Sequence, residues 1–422
     1  MNKIVADKVL DTFPPVTPDG RRIPIIPSIG NNDIYPHNIL QPGPNPILQY
    51  FATIWSEFIP ESMAKTFARG GYYAVEAVPH KITVVALNTI YFYVHNTAVD
   101  GCKNEDEPGT EQMDWLENEL EKLRKRKMVA YLTGHVPPEK KSYTPTCHSR
   151  YTNIALAYQD VIVGHLYGHA NIDHFFLLSH GSKKNNGLLE DNEGVEEEEE
   201  VEYTEQDDGY DSFHTLGLSS YLEDLWKQYD NVPNETQLKD YAIAMVSPSV
   251  VPTFNPTLRV FSYQLNDTDT SKPRTIATGM AAADAEEDNI GMEEQAQQQN
   301  ELEEYFSEFL NTGRSANQWT DFSKSHHHRK PRRRPDPVPA NTFGFPQGFT
   351  QYWCNLTQAN SNAPTTFPTY EIEYRTKEDY GLENLGVAEW LALARRIARE
   401  EDLKKVYLER MVVQSDADTA DD

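Results

Sequence analysis

Apolar positions along this chain switch between two periods, and the switches predict an α/β order of elements. Residues 72–78 and 82–89 have strand character and flank Pro79-His80, which predicts a hairpin. Residues 23–29, 129–132 and 161–163 are short apolar stretches of strand length, and residues 175–178 form another. Helical spacing appears at residues 46–58, with Pro46 suited to a first turn, and at residues 150–158. It is clearest at residues 110–126, where Met113, Leu116, Leu120 and Leu123 share one stripe. Further along, the pattern predicts helices at residues 220–229 and 301–310 and strands at 241–246, 258–265 and 371–375. Trp390, Leu393, Ala394 and Ile397 mark the apolar face of a C-terminal helix, which residues 403–411 continue or follow with a second one. The opening segment reads as a Pro-rich loop feeding the first strand.

The polar stretches divide this order into pieces. Residues 191–208 (DNEGVEEEEEVEYTEQDD) and 284–304 carry much of a net charge of −27. Such tracts bury too little apolar surface to fold and read as solvated inserts. The expected organisation is a core over residues 16–265 with an acidic insert at about 181–212, and a low-complexity linker over 266–340. A C-terminal region over 341–413 completes the fold, and an acidic tail follows at 414–422. The linker holds the basic tract KSHHHRKPRRR at residues 324–334, read as a solvated loop. The overall acidity argues against nucleic acid as a partner bound by general electrostatics, while the confinement of the excess to the acidic tracts leaves room for a locally basic site. Three cysteines exclude a disulfide framework and a Cys-based zinc cluster. They permit one bridge, such as Cys102–Cys147, with Cys354 unpaired or paired outside this chain. Sequons at Asn234, Asn266 and Asn355 are candidate glycosylation sites. No apolar run has membrane-spanning length, and residues 1–15 lack the apolar centre of a signal peptide.

Three of the apolar stretches stop at a Gly that is followed by Asn or His. They lead into Gly30-Asn31-Asn32-Asp33, into GHVPP at residues 134–138, and into GHLYGHANIDHF at residues 164–175. Strands ending this way present ligands at the carboxyl edge of an α/β sheet, so the three together predict a metal site assembled from loops. Each segment also has a plainer reading. Gly30 to Asp33 could be only a turn, and His135 a core histidine hydrogen-bonded to backbone. His165 and His174 divide evenly between ligation and structural support. Asp173 fits a role in orienting a ligand or capping a turn better than one in binding metal.

The same segments resemble the calcineurin-like metallophosphoesterase superfamily, and more closely the fungal endopolyphosphatase family related to acid sphingomyelinase. In that family the blocks look like GNND followed by PHN (here Pro36-His37-Asn38), GHVPP, and GHxYGHxNIDHF. AVDGC at residues 98–102, EPGTEQMDWLE at 107–117 and PSVVPTFNPTLRVFSY at 248–263 match as well. The resemblance implies a two-sheet metallophosphoesterase sandwich of mixed sheets flanked by helices. It implies that Asn31, His135 and His169 are metal ligands, with Asn171 a weaker one. The cofactors it implies are divalent cations, Mn, Zn, Co or Mg, two of them in the intact family site; the oxygen and nitrogen donors suit such borderline metals. The implied activity is hydrolysis of internal phosphoanhydride bonds of inorganic polyphosphate. The implied setting is the vacuole, in a glycosylated protein with a membrane anchor that this chain does not contain.

The chain departs from the superfamily pattern at two positions. Asn32 stands where a His commonly assists the leaving group, and Asn171 stands where GHxH has its second His. A phosphate leaving group needs less protonation than an alkoxide, so Asn32 suits anhydride cleavage, and His37 is the candidate substitute acid. No DxH or GDxx block precedes Gly30. The expected cause is a start downstream of the native N-terminus. The rival readings are a sphingomyelinase-like phosphodiesterase and a catalytically inactive fragment.

Overall fold

The computed structural model describes residues 1–16, 22–180, 216–250, 253–265, 334–361 and 368–415. The body of the acidic insert, the linker helix expected at residues 301–310, the basic tract up to residue 333 and most of the tail lie outside the described residues.

Helix α1 (Asn2–Thr12) opens the chain, where a loop was expected, and Ala6, Val9 and Leu10 hold it on the core. Two short helices follow, α2 (Pro46–Ile54) and α3 (Ala64–Gly70). Asn45 starts α2 by accepting from the backbone N–H groups of Ile47 and Leu48, both at 3.0 Å, while Pro46 spends no hydrogen bond in the first turn. β1 (Tyr73–Val78) and β2 (Ile82–Ala86) form the expected hairpin. α4 (Pro108–Arg126) buries the stripe of Met113, Leu116, Leu120 and Leu123, and ends where Lys127 turns left-handed at φ 56°. β3 (Val129–Thr133), α5 (Pro145–Ala157), β4 (Ile162–Tyr167) and β5 (His174–Leu178) come next. α5 starts earlier than its apolar spacing suggested, because Pro145 supplies the first turn and Cys147 is joined to Cys102. α6 (Leu216–Asp230), β6 (Ala242–Val246) and β7 (Thr257–Tyr263) precede the linker. After it come β8 (Pro346–Trp353), α7 (Leu356–Ser361), β9 (Glu371–Arg375), α8 (Thr376–Tyr380), α9 (Val387–Arg399) and α10 (Glu401–Met411).

The strands form a six-stranded sheet of order β1-β2-β3-β4-β6-β5 and a three-stranded sheet of order β7-β8-β9. In the first, β2, β3, β4 and β6 run parallel and the edges β1 and β5 antiparallel. The second is wholly antiparallel, not mixed as expected. The stretch at residues 23–29 is not a strand. Pro24 and Pro27 each remove a ladder donor, so the segment packs by Ile29, and the Tyr73 hydroxyl donates to the Pro27 carbonyl at 2.8 Å. β8 escaped the sequence reading because Pro346, Gly348 and two glutamines blur its alternation.

His165 and Tyr167 turn toward α5, where Tyr151 meets both. Ile82, Val129, Val163, Val338 and Phe345 cluster on the opposite side, with Tyr131 donating to the Gly344 carbonyl at 2.7 Å. Deeper in the core, Phe175 stacks on Tyr229 and packs against Trp390 with centroids 4.8 and 4.5 Å away. The small sheet is tied to the large one by a buried ion pair between Arg259 of β7 and Asp173, whose side chains are 4% and 8% exposed. The Tyr374 hydroxyl of β9 also donates to Asp173, at 2.5 Å, and Arg259 Nε donates to Gln351 of β8 at 2.6 Å. Every charge in this junction has a partner, as burial requires. Among the described residues no helix is long and apolar enough to cross a membrane.

The Cys102–Cys147 bridge closes a separation of 45 residues, and Cys354 is free and buried. Loop-closure entropy for a ring of that size is worth about 4 kcal/mol in the unfolded-chain account. Replacing both bridged cysteines by Ser is expected to lower the free energy of unfolding by about 2–4 kcal/mol, read from urea denaturation. A pair of substitutions with no effect on the midpoint would show that the bridge constrains nothing the core does not already hold.

Candidate metal centre

The parallel ladders align the carboxyl ends of their strands. Ala86 lies opposite Thr133, Thr133 opposite Leu166, and Tyr167 opposite Val246. Pairing continues past the strands, with Leu87 N donating to Thr133 O, Gly134 N to Leu166 O and Gly168 N to His135 O. His135 and His169 therefore leave neighbouring strands at one edge. Gly134 allows the close approach, since a Cβ there would lie 2.5 Å from the Thr89 methyl. Thr89 Oγ1 accepts from Val136 N at 2.8 Å and fixes the start of the His135 loop. His169 adopts a left-handed backbone, φ 68°, which a non-glycine residue enters only at some cost.

Asn31 arrives from outside the sheet. Residues Asn31–Asp33 form one 3-10 turn, closed by Asp33 Oδ2 accepting from Gly30 N at 2.8 Å. The following loop is stitched to the one after β2 by Asn96, 1% exposed. Its Oδ1 accepts from Leu40 N at 3.1 Å, and its Nδ2 donates to the Leu40 and Ile90 carbonyls at 3.0 Å.

Three donor atoms meet here. Asn31 Oδ1 lies 2.7 Å from His135 Nε2 and 3.2 Å from His169 Nδ1, and the two ring nitrogens are 3.2 Å apart. A cation with bonds of ~2.1 Å at angles of roughly 90–110° keeps neighbouring ligand atoms about 3.0–3.4 Å apart. The triangle fits one divalent cation with slight opening of its shortest side. Among the described residues no group of three or more His, Cys, Asp or Glu side chains is placed to hold a metal. This cluster reaches three donors only because one of them is an amide oxygen.

Burial keeps both imidazoles neutral, as ligation requires. It pushes His135 down to about 4, and it drives His169 well below the ordinary range, where the neighbouring rings of His135, His95 and His37 further disfavour a charge on it. Asn171 is not joined to this cluster; its Nδ2 donates to Thr253 Oγ1 at 3.2 Å. His37 borders the cluster, with Nε2 3.1 Å from Asn31 Nδ2. Asn32 is exposed. His165 and His174 serve structure. His165 Nδ1 lies 2.7 Å from the Tyr151 hydroxyl, and His174 bridges the Ile172 carbonyl and the Tyr221 hydroxyl. Asp173 is spent on Arg259 and Tyr374.

Sequence reasoning missed Tyr93 and His95. The Tyr93 ring packs edge-on against His169 and against His95, with centroids 5.1 and 5.0 Å away. The available signal was that β2 also ends at this edge and runs on into Asn88-Thr89, so its loop had to reach the same place. Of the three sequons, Asn234 and Asn355 are exposed, and Asn266 lies outside the described residues.

No protein-family model matches this chain. Curated proteins do. An endopolyphosphatase of Cryptococcus neoformans var. neoformans serotype D is 40% identical over 292 residues, covering 64% of this chain and 40% of that protein. An endopolyphosphatase of Neurospora crassa is 32% identical over 85% of this chain and 54% of its own length. One from Debaryomyces hansenii is 31% identical over 96% of this chain and 64% of its own length. The chain thus spans about half the length of these curated relatives.

Two measurements check this site. Elemental analysis after equilibration with Zn²⁺ or Mn²⁺ and gel filtration is expected to find at most one tightly held cation per chain. Two would mean that a further donor completes a second site. The second concerns acid. His135 is held at about 4, and His165 and His174 at about 3, all by burial. The unfolded chain takes up these protons near pH 6.5 and the folded chain does not, so stability is full above pH 6.5 and is lost as pH falls. The loss is about 1 kcal/mol per such histidine between pH 7 and 5.5. Urea midpoints should fall across that interval; a midpoint that rises would contradict the neutral buried state.

Proposed function

The chain belongs to the fungal endopolyphosphatase family, and from that premise we propose that it carries the metal-binding loops of an enzyme cutting internal phosphoanhydride bonds of inorganic polyphosphate. The observation that carries the proposal is the convergence of Asn31 Oδ1, His135 Nε2 and His169 Nδ1 within 3.2 Å of one another. Asn31, His135 and His169 would hold a divalent cation of the Mn, Zn, Co or Mg kind, which when bound supplies Lewis acidity toward a phosphoryl oxygen and toward water.

The remaining work falls to the chain's own groups. Neutral imidazoles keep their lone pairs available to a cation. The Asn31 amide donates to His37 Nε2. The His37 proton then sits on Nδ1, the nitrogen that can pass it to a leaving oxygen. A phosphate leaving group asks little of that acid, which agrees with an exposed Asn at position 32. Exposed Asn234 and Asn355, together with a formed disulfide, support a glycosylated protein of an oxidising compartment such as the vacuole.

The test compares long-chain polyphosphate with bis(p-nitrophenyl) phosphate, using the chain preceded by a segment that supplies DxH and GDxx blocks. Cleavage of polyphosphate into shorter chains, read on gels, is expected. His135→Ala or His169→Ala should lower kcat/KM by on the order of a thousandfold, because each removes a cation ligand. Turnover of the diester without shortening of polyphosphate would replace this reading with a phosphodiesterase. Near-full activity in either alanine variant would remove that histidine from the ligand set.

A further inference from the structure

An asparagine can serve a cation only through its oxygen, yet its two ends have nearly the same shape. Something must decide which end of Asn31 faces the centre. The Asn31 side chain is 2% exposed, so bulk water does not decide it. Its Nδ2 lies 2.9 Å from Asn38 Oδ1 and 3.1 Å from His37 Nε2, so both amide hydrogens have acceptors on the side away from the cluster. Its Oδ1 is thereby turned to His135 and His169. Flipping the amide would set an N–H pair against both ring nitrogens and a carbonyl oxygen against the oxygen of Asn38.

We propose that Asn38 is a positioning residue that sets the orientation of the Asn31 amide, and through it the affinity of the site for a divalent cation. This rests on the metal-centre reading given above. Of the two acceptors, Asn38 is the better fixed. It is 8% exposed, against a half-buried His37, and it takes a left-handed backbone of φ 67° that asparagine tolerates better than most residues. Leu40, two residues on, is pinned by Asn96, which accepts from its N–H and donates to its carbonyl. Asn38 N also closes on the Asn31 carbonyl at 3.4 Å, so the acceptor and the amide it orients belong to one closed loop. Partners of this kind hold a ligand in its binding geometry, and removing one typically costs 10–100-fold in metal affinity.

The experiment titrates the 422-residue chain with Zn²⁺ and with Mn²⁺ by calorimetry and needs no substrate. Asn38→Gly removes the acceptor while keeping the left-handed backbone accessible, and is expected to weaken binding 10–100-fold. Asn38→Asp retains an acceptor and should bind as tightly as the parent or tighter. In an Asn31→Asp background the two carboxylate oxygens are equivalent and there is nothing to orient, so adding Asn38→Gly should change affinity less than about threefold. Equal losses in both backgrounds would mean that Asn38 only supports the loop, and would overturn the proposal. A parent chain that binds while Asn38→Gly binds equally well overturns it as well. A parent chain that takes up neither cation overturns the metal centre itself and this inference with it. Should Asn38→Gly fail to fold, the parent protein in chelator still decides. Hydrogen exchange of the selectively ¹⁵N-labelled Asn31 side-chain amide is expected to be slow for both hydrogens. Fast exchange would show that the amide is not held.

Discussion

The alignment of four parallel strands at their carboxyl ends is the constraint on which the rest of this molecule depends. β2, β3, β4 and β6 pair in register up to Ala86, Thr133, Tyr167 and Val246. Each following loop therefore starts from the same edge. Hydrogen bonds from Leu87, Gly134 and Gly168 carry the pairing one step further, into the loops themselves. Two histidines separated by 34 residues thus meet with ring nitrogens 3.2 Å apart without either loop having internal regular structure. A slip of one residue in the ladder between β3 and β4 would shift the start of one loop against the other and draw the two rings apart.

What the sheet cannot supply comes from an irregular segment. The Asn31 loop has no strand to fix it and relies on hydrogen bonds made by its polar side chains and by Asn96. Asp33 closes the turn, Asn96 binds Leu40, and Asn38 takes the Asn31 amide. Each bond is buried or half-buried, where an unmade partner costs far more than a made one returns. The same logic governs the junction of the two sheets. Asp173, four residues past His169, is held by Arg259 and Tyr374, so the small sheet braces the His169 loop from behind. An acidic side chain inside a histidine-rich stretch thus serves architecture.

Burial also shapes the chemistry of the centre. The burial that comes with packing the loops together depresses the imidazoles of His135 and His169. Both rings are therefore preset in the unprotonated form that binding a cation would require. The molecule accepts sensitivity to acid in return, because His165 and His174 are buried neutral for purely structural reasons.

Much of this was legible in the chain. The periodicity of residues 110–126 and the hairpin around Pro79-His80 predicted α4 and the β1-β2 pair, since local spacing alone selects them. Gly followed by Asn or His pointed to Asn31, His135 and His169, although only Gly134-His135 directly follows the strand its apolar stretch predicted. Residues 23–29 form no strand, and β4 runs on through Gly164-His165 to Tyr167 before Gly168-His169. Local pattern failed where a prolyl ring or a distant partner decided the outcome. Residues 23–29 look like a strand but cannot complete a ladder without the N–H groups of Pro24 and Pro27, and β8 shows its strand character only between β7 and β9. Nor could spacing say that Asn171 would turn to Thr253, that His165 would face Tyr151, or that Tyr93 and His95 would reach His169. The sequence determined which residue types stand at the ends of strands. Only the tertiary structure decided which of them share a centre, because that depends on ladder register and on bonds between loops far apart in the chain.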